Sequence, residues 1–287
     1  MKTNSSTFII YSILLSLQLS IQQIPYEIEP IKAPFEMPQL ERPVFPEFTI
    51  NIIKTGAKQN KLSTPSIQKA IDQLHNKGGG TVIIPSGKWL SGRIELKSNI
   101  NLKLEEGAEL YFSGEIKDYL PCVPTRNVGV DVISMGAMIY ANGAENIALT
   151  GNGKLIGPNR DCELFHQAME GVKEELQEIP LEQRIFDGSN GGEICLPQFF
   201  GPINSKNILV EGVTFIQSIF WNIVPVYCEN IIIRNVEVSS YGYGRTDGID
   251  IDSSRNVLIE YVTLDYNDVF TLKLGRGMDG KIKGYPT

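Results

Sequence analysis

A chain of 287 residues can bury one large core, and 42% hydrophobic with 21% charged residues is the balance of a soluble globular protein. A net charge of −7 argues against a nucleic-acid surface, whose phosphates demand a basic face, yet leaves room for an anionic ligand held by a few local cations. Cys122, Cys162, Cys195 and Cys228 are scattered without zinc spacing and read as small core residues, with one disulfide as the open alternative.

The chain begins with Lys2 and an apolar run from Phe8 to about Ile21, the plan of a secretory signal over residues 1–23. The run falls short of the roughly 20 residues a span needs, and Gln18 interrupts it. The expected location is secreted or periplasmic, with no membrane span. Residues 24–48 carry Pro25, Pro30, Pro34, Pro38, Pro43 and Pro46 without helical or strand period. They read as an extended lead-in that lies over the domain or stays mobile. The remainder, 49–287, reads as one domain.

One helix stands out. Thr64 suits an N-cap and Pro65 the first helical position; Ile67, Ala70, Ile71 and Leu74 form one apolar face, and Gly78 stops it. Short strands rich in Ile, Val and Leu follow. From residue 145 a repeat emerges: "ENIALTGNG", "KNILVEGVT", "ENIIIRNVE" and "RNVLIEYVT" each set a charged residue and Asn before alternating aliphatics. Intervals of roughly 25 residues are too short for βαβ units and match stacked coils of a parallel β-solenoid. An antiparallel sandwich is the competing arrangement. The solenoid predicts parallel strands over 80–275, with Ile208, Ile231 and Val257 in one interior row and Asn turning each corner. Residues 160–190 read as a charged, partly helical insertion on a loop.

The stretches "IQKAIDQLHNKGGGTVIIPSGKWLSGRIELKSNINLKLEEGAEL", "NILVEGVTFIQSIFWNIVPVYCENIIIRNVEV" and "TDGIDIDS" together resemble glycoside hydrolase family 28, the polygalacturonases and their bacterial relatives, across roughly residues 45 to 280. The resemblance implies an all-β fold, a right-handed single-stranded parallel β-helix of the pectin-lyase-like kind with an N-terminal capping helix. It implies inverting hydrolysis of α-linked galacturonan, an acidic plant polysaccharide as partner, a monomer, and neither metal nor organic cofactor. The family's site uses an Asp in Asn-Thr-Asp, a Gly-Asp-Asp pair one coil on, a His in Gly-His-Gly and a downstream Arg-x-Lys. Inversion needs two carboxyls about 6.5–9.5 Å apart, one protonated and one activating water.

Carried over residue by residue, Asp247 matches the first motif, with Thr246 present and Arg245 in place of Asn. Asp268 is the surviving carboxyl of Tyr266-Asn267-Asp268: counted back from Lys273 and Gly275 it is the second of the pair, the register that inward Phe270 and Leu272 favour, and counted forward from Asp247 it is the first. Asp247 and Asp268 are the candidate catalytic residues, expected on neighbouring coils with carboxyls in one groove. Asp250 and Lys273 are candidate substrate contacts, with pairing to a nearby Asp as the alternative for Lys273. Strand alternation sends Ile249 and Ile251 inward and Asp250 and Asp252 outward, so Asp252 is expected on a solvated face. Lys281 and Lys283 read as a solvated charge run. His75 and His166 are the two histidines and both lie upstream; Leu196 and Val224 stand where relatives commonly carry Arg and His. These departures, and the stop at Thr287, predict little turnover by this chain. A non-catalytic β-helix that binds acidic polysaccharide is the alternative.

Overall fold

The computed structural model describes residues 24–240, 244–265, 268–274 and 277–283. The signal expected over 1–23, and Tyr266, Asn267 and Gly275, lie outside the described residues.

Each coil contributes one strand to each of three stacked parallel sheets. The first sheet has seven strands: Thr49–Asn51, Gly80–Ile84, Ile100–Leu104, Glu145–Gly151, Lys206–Glu211, Glu229–Arg234 and Arg255–Glu260. The second has six, from Gly87–Ser91 to Thr263–Asp265. The third runs through Ile94–Glu95, Ala137–Asn142 and Gln198–Ile203, continues by bridges at Ile223 and Val226, and ends in Ile249–Asp252 and Phe270–Lys273. This is a parallel β-helix, as the repeat predicts. The antiparallel exception among the paired strands is a hairpin, Val123–Asn127 with Val130–Ser134.

The predicted interior row is present and longer than expected. Ile100, Ile147, Ile208, Ile231 and Val257 are successive register partners. The first four are essentially without solvent contact, and Val257 packs on the same core. Asn explains the corner. Asn99, Asn146, Asn207, Asn230 and Asn256 all adopt left-handed φ between 53° and 63°. From Asn146 onward each amide donates to the side-chain oxygen of the Asn one coil earlier, at 3.0 Å in all four steps. A left-handed non-glycine residue costs about 1–2 kcal/mol, and each hydrogen bond of the ladder returns about 1 kcal/mol.

The helix spans Thr64–His75 and buries Ile67, Ala70, Ile71 and Leu74 against the first coil. Its N-cap is Ser63 rather than Thr64. The Thr64 hydroxyl is taken by the neighbouring strand instead, accepting from Gly92 N at 2.6 Å and meeting Ser91 Oγ at 3.1 Å. The helix ends before Gly78, whose φ of 98° serves the turn that follows.

The Pro-rich segment lies over the outer face of the seven-stranded sheet. Leu40 packs on Ala148, Leu209 and Ile232, with Ile28, Ile31, Met37 and Phe45 beside it. Arg42 grips Glu211 through both carboxylate oxygens at 2.5 Å. Buried Arg234 donates to the Tyr26 and Pro25 carbonyls at 2.9 and 2.8 Å. The segment is therefore fastened across consecutive coils.

The insertion holds a short helix, Glu163–His166, and 3-10 turns at Glu174–Glu178, Leu181–Gln183 and Ser189–Gly191. With the hairpin it encloses a second small core of Val130, Val132, Val172 and Cys195. All four cysteines are free, so the disulfide alternative falls away. Phe270 and Leu272 stack in register on Ile249 and Ile251 as expected. They remain 46% and 72% exposed, because no described strand lies beyond them.

Candidate active site

Asp247 sits at the turn that feeds strand Ile249–Asp252, and the preceding coil fixes it there. Asn222 is fully buried, and its backbone N–H donates to the Asp247 carbonyl at 2.9 Å. Its side-chain amide donates to the Thr246 and Asp247 carbonyls at 3.3 and 3.1 Å. The Thr246 hydroxyl donates to the Ser240 carbonyl at 3.2 Å. Sequence reasoning missed Asn222. It lies one coil before Asp247, which is the signal that would have found it, but the other asparagines of the repeat are corner residues.

The next coil brings Asp268 alongside. Gly248 N–H donates to the Asp268 carbonyl at 3.1 Å, and Ile249 N–H to the Val269 carbonyl at 3.3 Å. Asp247 and Asp268 thus open neighbouring coils, at the strand spacing of about 4.8 Å. Asp247 is half-buried and Asp268 exposed. Burial holds the Asp247 carboxyl above the usual carboxylate range, Lys273 opposes this, and the Asp268 charge adds to it.

Lys273 is the hub of the cluster. Its Nζ lies 2.6 Å from Asp250 Oδ1, 3.4 Å from Asp247 Oδ2 and 2.9 Å from the centroid of the Trp221 ring. Asp250 is fully buried beneath it, so the direct substrate contact expected of Asp250 has no open surface. The Thr271 hydroxyl donates to Asp250 Oδ1, while Oδ2 has no partner among the described residues. Burial pushes the Asp250 carboxyl up to about 6 against the pull of Lys273. The four predicted residues, Asp247, Asp250, Asp268 and Lys273, come together.

Asp252 corrects an expectation. Alternation points it away from the core as predicted, yet it is only 2% exposed. The hairpin covers it. Arg126 Nε donates to Asp252 Oδ2 at 3.0 Å, and the Ser253 hydroxyl to Oδ1 at 2.8 Å. The same guanidinium reaches Asp131 at 2.6 Å and the Tyr227 hydroxyl. The terminal charge run is exposed at both Lys281 and Lys283, as expected, and Lys283 in addition lies 3.7 Å from Asp131 and 4.0 Å from the Tyr227 ring centroid. Leu196 and Val224 are both buried and apolar. His75 Nδ1 contacts the Ser98 carbonyl and His166 Nε2 contacts Asp161, both outside this cluster. Among the described residues no group of three or more His, Cys, Asp or Glu is placed to hold a metal ion.

No family model matches the chain. Individual relatives do. The crystal structure of a hyperthermoactive exopolygalacturonase from Thermotoga maritima superposes with a TM-score of 0.75 at 32% identity, covering 86% of this chain and 59% of that one. The chain is polygalacturonase-like in sequence and fold. A probable polygalacturonase from Vitis vinifera is 27% identical over 237 residues, 79% of this chain and 44% of the relative. An exo-poly-alpha-D-galacturonosidase from Dickeya chrysanthemi is 23% identical over 260 residues, 81% of this chain and 43% of the relative. The chain thus spans less than half the length of these curated relatives. The polygalacturonase-like fold bears out the parallel solenoid expected from the repeat and the right-handed all-β coil that the resemblance implies.

Proposed function

We propose that this chain belongs to glycoside hydrolase family 28 and carries the carboxyl pair of a galacturonan hydrolase that works by inversion. The adjacent-coil register of Asp247 and Asp268, close enough for the Asp268 charge to bear on the Asp247 carboxyl, supports the reading. Burial, and more weakly the neighbouring Asp268 charge, raise the Asp247 carboxyl against the pull of Lys273, the direction that favours a proton donor to a leaving oxygen. Asp268, open to solvent, serves as the group that activates water. Two such carboxyls on neighbouring coils can span the separation that inversion requires.

The anionic substrate finds cations close by. Lys273 faces Asp247, and a cavity of about 350 Å³ beside the Asp247 turn is lined by Arg160, Leu196, Gly244 and Arg245 among others. Arginine forks suit the carboxylates of uronic acids. Attack at a chain end is the finer part of the proposal. It is supported by the exo names of two relatives and by the hairpin that shuts the far end of the strand at Asp252. Action outside the cytoplasm as a monomer completes it; no helix among the described residues is long and apolar enough to cross a membrane.

The test is release of reducing ends from polygalacturonate by the purified chain and by Asp247→Asn. Slow release that depends on Asp247 is the expected result, with monomer as the first product. Release equally fast after the substitution would sink the assignment, and longer oligomers first would sink chain-end attack.

A further inference from the structure

We propose that Asp250 is a positioning residue: it anchors Lys273 and, by sharing that cation with Asp247, decides how much of the lysine's charge the working carboxyl feels. The proposal deepens the reading of Asp247 as a titrating group of the site and rests on it. Asp250 touches no groove surface, since it is fully buried, so whatever it does for the reaction passes through a neighbour.

Its surroundings name that neighbour. The coil above supplies Lys273 at 2.6 Å and the Thr271 hydroxyl, both on Oδ1. The coil below supplies apolar Val224, the register neighbour through the Ile223 to Ile249 bridge. On its own strand Asp250 is flanked by Asp247, whose charge opposes ionisation of Asp250, and by Asp252, already committed to Arg126. Asp268 holds the register position of Asp247 on the coil above and adds its charge there. Oδ2 receives nothing from the described residues, so Lys273 is the sole cation that balances Asp250 among them.

One ammonium therefore serves two carboxylates. It lies nearer the buried one, at 2.6 Å against 3.4 Å, and the Trp221 ring holds it from the third side. An ammonium is a compact point charge that cannot fork to two carboxylates as a guanidinium does, so its attraction is divided by distance. With Asp250 ionised, Lys273 is held back from Asp247 and Asp247 keeps its proton more readily. With Asp250 neutral, the whole cation falls to Asp247 and favours its ionised form. The buried carboxyl, at about 6, changes state in the range where weakly acidic polysaccharide would be met.

The experiment follows the Asp247 carboxyl directly, by carbon-detected NMR titration of side-chain-labelled aspartates assigned with Asp247→Asn. It is run on the full chain, on Asp250→Asn and on Lys273→Met, each first checked for a cooperative thermal transition. Asp250→Asn is expected to lower the Asp247 midpoint by about one pH unit, because an unshared cation favours the charged carboxyl. Lys273→Met is expected to raise the Asp247 and Asp250 midpoints together. Where turnover is measurable, the alkaline limb of kcat moves down by the same amount in Asp250→Asn, while KM stays within about twofold.

An Asp247 midpoint unmoved in folded Asp250→Asn overturns the proposal, and a large rise in KM with an unmoved limb makes Asp250 a substrate contact instead. If Asp250→Asn does not fold, Lys273→Met decides: one midpoint moving without the other contradicts sharing. Absence of turnover in every variant would overturn the hydrolase reading while leaving the charge sharing measurable.

Discussion

The two ends of strand Ile249–Asp252 hold the same charge pattern and put it to opposite uses. At each end one cation serves two carboxylates: Lys273 between Asp247 and Asp250, Arg126 between Asp131 and Asp252. Arg126, itself part of the hairpin, forks to both partners at 2.6 and 3.0 Å with 2% of its side chain exposed. Lys273, 23% exposed, favours one partner and leaves the other toward the groove. A planar five-donor cation out of solvent makes a closed joint; a point charge at the groove edge leaves a titratable carboxyl. Function on this strand follows from which cation was used and from what covers it.

The largest expected effect separates the ends by activity. Asp247→Asn should lower turnover by about 10²–10⁴-fold, the usual worth of general acid–base help, with the thermal transition retained. Asp252→Asn should leave turnover per folded molecule close to that of the parent chain. Equal losses of turnover in the two variants, measured at matched folded fraction, would erase the distinction.

Stability should separate them the other way. Arg126→Ala strands Asp131 and Asp252 where the hairpin closes on the strand and is expected to cost about 3–5 kcal/mol in urea unfolding, the penalty for breaking a buried pair. Lys273→Met should cost less, because water reaches Asp247 and buried Asp250, already raised to about 6, can take up a proton. A reversed order would show that the groove end is the closed one.

Much of this was legible in the sequence. The corner asparagines and the aliphatic row announced the coil because few residues tolerate a left-handed corner and an interior row must recur once per turn. The same spacing placed Asp247 beside Asp268. It could not show that Asp252 is buried, since its cover is Arg126, 126 residues upstream, and alternation reports a face without reporting what lies on it. The Lys273 contacts were hidden for a related reason. Register puts Lys273 opposite Asp252, but its long side chain leans back along the strand to Asp250 and Asp247. The Thr64 hydroxyl went to Gly92 by the same kind of distant claim.

A pH scan sharpens the comparison. Asp250 holds its proton to about 6 when folded, against about 3.9 for an unperturbed Asp, so the folded state binds more protons between these values. Its stabilising contribution is complete below about pH 4 and is lost as pH rises through 6, on the order of 2–3 kcal/mol. Thermal melts across this range should lose that slope in Asp250→Asn. Persistence of the full slope would assign it to another group.

The smallest effects come from the two hydroxyls. Ser253→Ala removes one hydrogen bond to Asp252, and Thr271→Val one to Asp250; each should cost about 1 kcal/mol. Only Thr271→Val should also move the pH dependence, upward, because its hydroxyl favours the ionised Asp250. A pH shift from Ser253→Ala would mean that the two ends are coupled.

The central claim is that Asp247 and Asp268 act on a galacturonan bond from opposite sides. The most direct measurement is real-time proton NMR of oligogalacturonate digestion, reading the anomeric signal of the first product from the unmodified chain and from Asp247→Asn. The account predicts slow appearance of the β anomer first, as inversion of an α linkage requires, and its loss in Asp247→Asn. Early α anomer, an unsaturated product, or β anomer formed equally fast without Asp247 would contradict it.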